Sequence, residues 1–151
     1  MNAEILVERF RLFLLWLAAF LCLGTVAELV LTNHAKTLVQ WIPFVLCGVS
    51  LVALLAVIFR PQRRAILTLR WIMLVTLLGS LLGVYEHVQG NLAFALETNA
   101  AKANAAPLLS MLTGGNPPLA PGVLAIIALV ALVATYYHPA SAQPVMKSKT
   151  L

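Results

Sequence analysis

Charge is what this chain has least of. Only 10% of its 151 residues are charged, and its five acidic residues are all glutamates. Soluble domains carry about 25% charged residues, so a water-facing surface of ordinary size is excluded. Cysteine is scarce as well. Cys22 and Cys47 form no C-x-x-C, so local spacing offers neither a metal cage nor a redox pair, and both read as small buried apolar side chains. There is no H-E-x-x-H and no other recognisable metal spacing, which leaves any metal unassigned. No histidine falls inside a long apolar run, so buried bis-histidine haem ligation has no ligands and no cofactor is expected. Ser50 and Ser80 sit in apolar surroundings with no histidine at similar depth, so no serine nucleophile is assigned and the chain does not read as an enzyme.

What the chain has is hydrocarbon. It is 62% hydrophobic with a mean hydropathy of +0.95. Apolar runs near the 20 helical residues that cross a hydrocarbon core occur at 10–31, 38–59, 65–85 and 120–137. The expected fold is therefore all-α, an integral membrane four-helix antiparallel bundle. Residues 1–137 form one domain, 88–119 make an outer cap between helices 3 and 4, and 138–151 form a disordered cytoplasmic tail. The first run exceeds a signal-peptide core, and Ala-Phe-Leu before Cys22 makes a poor lipobox, so it reads as a retained helix.

Along the chain, residues 1–11 read as an amphipathic lead-in lying at the interface. Thr37 and Gln40 have capping-box spacing, Trp41 suits an interface, and Pro43 is expected about one turn into the second span, where it would bend the helix. Arg70, one turn inside the third span, reads as a snorkelling cation. Gly79 and Gly83 form a G-x-x-x-G for close helix packing, with Ala125, Ala128, Ala131 and Ala134 as a plausible facing stripe. A helix break is expected at Gly90-Asn91, followed by a second helix over 91–103.

Eight of the ten basic residues fall on the face that holds both termini; only Lys36 and Lys102 fall opposite. The positive-inside rule then puts both termini in the cytoplasm. The basic balance reads as orientation and attraction to anionic lipid rather than nucleic-acid binding. On the opposite face Glu28, His34, Glu86, His87 and Glu97 project together, a set able to bind an ion, relay protons or hold a cationic headgroup. Glu86 and His87 are adjacent, so on a regular helix they diverge by about 100° and are not expected to face one ion unless the helix breaks there.

The stretches GTVAELVLTNH, WIPFVL, GVYEHVQGNLAFALE and LTGGNPPLAPG resemble a group of small bacterial four-span membrane proteins to which no activity is attached. That resemblance implies a bacterial inner-membrane location and one small domain. The chain also resembles small multidrug exporters in span count and in a first-helix glutamate, but Glu28 lies too near the outer end and the third connection is too long. The leading expectation is a non-enzymatic accessory or assembly component, associating with itself or a larger membrane complex through Gly79, Gly83 and the alanines. The alternative is ion or proton binding or transport through the Glu/His cluster.

Overall fold

The computed structural model describes residues 2–98 and 119–141. Among these the chain is all-helical, with four helices: α1 Ala3–Leu31, α2 Ile42–Phe59, α3 Arg63–Thr98 and α4 Leu119–Thr135. Short 3-10 turns at Val39–Trp41 and Pro139–Ser141 flank α2 and follow α4. The helices α1, α2 and α3 are long and apolar enough to cross a membrane. With 17 residues, α4 sits at the lower end of the spanning range. The helices touch in a circuit: α1 on α2, α2 on α3, α3 on α4, and α4 back on α1.

The buried face of α3 explains why this circuit closes. Ile66, Leu69, Met73, Thr76 and Ser80 alternate at steps of three and four, the seam that lets two helices lie side by side, and all five are 0% exposed. Small residues fill the opposing faces: Ala18, Ala19 and Cys22 on α1, Ala128, Ala131 and Ala134 on α4. Ser50 and Thr76 hydrogen bond across α2 and α3 at 3.1 Å, which satisfies both hydroxyls inside an apolar interior. Large apolar side chains point the other way. Phe20 is 71% exposed, Trp71 70% and Leu78 67%.

Several boundaries differ from expectation, each for a visible reason. The third helix does not stop at Tyr85 or break at Gly90-Asn91; it runs unbroken to Thr98. Asn91 continues the same buried seam and is 2% exposed, so packing outweighs the local cost of Gly90. Residues 88–98 of the expected cap therefore belong to α3, and the rest of that cap, up to 118, lies outside the described residues, as does the tail from 142. The lead-in is continuous with α1 from Ala3. Pro43 occupies the first turn of α2, after a 3-10 turn, where its missing N–H removes no helical bond.

The two cysteines meet across helices. Their thiols, on α1 and α2, are neighbours, and both are free and fully buried.

Candidate functional site

At one end of the circuit, where α1 ends and α2 and α4 begin, a cavity of about 370 Å³ opens among all four helices. Its α3 wall is Gly79, Leu82, Gly83, Glu86 and His87, a single stripe at steps of three, one, three and one. Glu86 and His87 thus reach one space from the two edges of one stripe, without the helix break that sequence reasoning required.

The glycines set the width of this wall. A Cβ on Gly79 would stand 2.7 Å from Leu46 Cδ1 of α2, and one on Gly83 would stand 2.9 Å from Pro121 Cβ of α4. The G-x-x-x-G therefore serves two neighbours within the same chain. Beside it, the Ser80 hydroxyl donates to the Pro121 carbonyl at 2.7 Å and ties the start of α4 to α3.

His34 arrives from α1 through a helix terminus. Asn33 has φ 52, in the left-handed region, and the His34 and Asn33 N–H groups donate to the carbonyls of Leu29 at 2.9 Å and Val30 at 3.0 Å. This is the paired bonding of a Schellman motif, and asparagine is among the few residues besides glycine that adopt that backbone readily. The motif turns His34 back over the end of α1. Its ring centre lies 6.3 Å from that of His87, with planes at 45°. Partial burial, and then the neighbouring His87, push the His34 pKa below the ordinary 6.5, which favours the neutral imidazole.

Gln40 forms half of the expected capping box. Its Oε1 accepts the N–H groups of Lys36 at 2.7 Å and Thr37 at 3.2 Å, holding the connection that follows His34. Thr25, Thr37 and Gln40 add polar lining, while Leu29, Pro43, Leu46 and Leu124 supply an apolar floor.

Of the five residues proposed from sequence, His34, Glu86 and His87 meet in the cavity. Glu28 and Glu97 are exposed and lie outside its lining. Among the described residues no three His, Cys, Asp or Glu side chains are grouped closely enough to hold a metal ion. Sequence reasoning missed Thr25, and read Thr37 and Gln40 as a cap alone. The α3 periodicity carried the missing signal, because continuing the Gly79/Gly83 spacing by three and four residues arrives at Glu86 and His87.

No family model, curated protein or solved structure matches this chain. Its function is therefore argued from its own geometry.

The opposite end is built differently. Arg11 of α1 donates through Nη2 to the carbonyls of Tyr136 at 3.2 Å and Tyr137 at 3.0 Å, and Arg70 of α3 donates to the carbonyl of Thr135. Thr135 is the last residue of α4, its carbonyl also accepting the His138 N–H at 3.2 Å, and Tyr136 and Tyr137 form the turn just beyond, so both arginines stand at the negative end of the helix dipole. Arg70 thus holds the end of α4. His138 lies just beyond. Burial, and then Arg11 and Arg70, lower its pKa, with Glu8 acting in the opposite sense.

Proposed function

We propose that this chain is a four-span antiparallel membrane bundle that binds a small amphiphilic cation, such as a long-chain amine, at its outer end without catalysing its conversion. The observation that supports the membrane part is the hydrocarbon turned outward. Phe20, Trp71 and Leu78 point away from the interior, while small residues of α1 and α4 line the contacts between helices. Soluble monomers rarely expose broad apolar surfaces, and small residues are the common contact of membrane helices. The resemblance to small bacterial four-span proteins and the positive-inside rule favour a bacterial inner membrane with both termini in the cytoplasm.

The binding part rests on the cavity. Glu86, His34 and His87 stand at a space whose floor is hydrocarbon, and about 370 Å³ lies within the size range of small-molecule sites. A carboxylate beside a neutral imidazole suits a positively charged, hydrogen-bonding head, and the floor suits an alkyl tail. This reading develops the ion-binding alternative and gives it an organic ligand. Any association with a second copy or a larger complex would use surfaces other than Gly79 and Gly83, which face Leu46 and Pro121.

The test is binding of dodecylammonium to the detergent-purified protein by calorimetry, with Glu86→Gln as the comparison. We expect saturable binding at one site, weakened about tenfold by the substitution, or about 1.4 kcal/mol, with unchanged helix content. Equal affinity in the two proteins would remove the reading.

A further inference from the structure

The two thiols lie just beneath the cavity. Thr25 of α1 and Pro43 of α2 both line it, at the end of the molecule where α1 finishes and α2 starts. Cys22 precedes Thr25 by three residues and Cys47 follows Pro43 by four, so each cysteine shares its lining residue's helix face, about 5 Å further into the bundle. Both are 0% exposed and belong to one apolar core. The fold therefore brings together across two helices what local spacing in the sequence does not.

The polar groups one turn away are otherwise engaged. Thr25 donates its hydroxyl to the Leu21 carbonyl at 2.9 Å, and Ser50 is paired with Thr76. Among the described residues no third His, Cys, Asp or Glu joins the thiols closely enough to share a metal ion. Structural zinc takes four ligands, so two sulfurs do not complete its shell. Ions satisfied by two sulfurs in a line are the soft, filled-shell ions Cu(I), Ag(I) and Hg(II). Two thiolates on a monovalent ion leave one net negative charge in an apolar core, which is costly, whereas on a divalent ion they leave none.

We propose that Cys22 and Cys47 form a two-coordinate site for a soft divalent metal ion, the mercuric ion being the one whose charge and coordination number both fit. Binding is an exchange without oxidation or reduction. Two S–H bonds break, two S–Hg bonds form, and the two protons leave by way of the cavity, which gives a neutral complex. The inference is independent of the amine reading, because neither cysteine lines the cavity.

The test uses the full chain, purified in detergent, reduced, freed of reductant and then given about one equivalent of mercuric chloride with an about tenfold excess of glutathione. Two thiols held on one scaffold act at a high effective concentration, whereas glutathione must supply two separate molecules. Native mass spectrometry should find one mercury on the chain, two protons lost and no glutathione attached. Cys22→Ala and Cys47→Ala each leave a single thiol, so retained metal should fall about tenfold, and what remains should carry a glutathione. A wild-type chain that surrenders the ion as readily as the single variants, or that holds it capped by glutathione, would overturn the site. The capped and bridged ions differ in mass in the wild-type chain itself, so the result does not depend on the variants folding.

Discussion

The two ends of the molecule use polar residues in opposite ways. At the arginine end, the cations of α1 and α3 are committed to carbonyls at and just beyond the end of α4, and their work is to close the helix circuit. At the histidine end, closure is left to glycine contacts, Ser80 and a Schellman turn, while Glu86 and two imidazoles border a cavity. A helix end can be satisfied by its own backbone or by a borrowed side chain. At the end of α1 backbone bonding serves, and the nearby side chains border the cavity.

The strongest way to break this contrast is to separate α3 from α4 at the histidine end. Gly83→Leu must displace Pro121, whose Cβ belongs to a rigid ring, and should cost about 3 kcal/mol by overpacking. Gly79→Ala meets only the end of the Leu46 side chain, which can turn aside, so it should cost clearly less. Thermal unfolding in detergent measures both. If the two variants melt together, the glycines do not serve distinct neighbours.

Next in size is the clamp. Arg70→Ala removes a charged donor from the Thr135 carbonyl and should lower stability by about 2 kcal/mol while leaving amine binding at the distant cavity intact. Loss of binding equal to that of Glu86→Gln, in a protein that remains folded, would show that the ends are not independent.

Much of the architecture was legible in sequence because its determinants are local and repetitive. Long apolar runs announced α1, α2 and α3, and the proline before residue 63 marked the α2–α3 turn. What escaped was set by partners far along the chain. The local Gly90-Asn91 pair reads as a stop, yet Asn91 is buried on the continuation of the seam that begins at Ile66. Arg70 and Arg11 look like interfacial cations until the end of α4 is placed beside them. Cys22 and Cys47 are likewise neighbours only across two helices. At the site, the residue types were visible, but Glu28 and Glu97 could be separated from Glu86 only once the cavity lining was known.

A smaller effect tests the turn that presents His34. Asn33 holds a left-handed backbone, and a β-branched residue there costs about 1–2 kcal/mol, whereas glycine adopts it freely. Asn33→Val should therefore weaken dodecylammonium binding, and Asn33→Gly should preserve it. A reversed order would mean that the Schellman turn does not position the imidazole.

The smallest effect is titration, and it reaches both ends. His34 and His138 each have a pKa below the ordinary 6.5, burial being the first cause in both, followed by His87 at one end and Arg11 and Arg70 at the other. A histidine lowered in the folded state binds fewer protons than when unfolded, so its contribution is complete above 6.5 and is lost as pH falls through the lower folded value. Acidification should thus reduce stability at both ends, and at the histidine end it should also weaken a cationic ligand, because protonated His34 adds positive charge beside Glu86. Ring-proton NMR titration reads each midpoint directly, with His34→Gln and His138→Gln for assignment. Midpoints below 6.5 are expected for both; a value at or above it for His34 would mean that the imidazole facing the cavity is stabilised in its charged form, and an anionic ligand would then fit the site better than an amine.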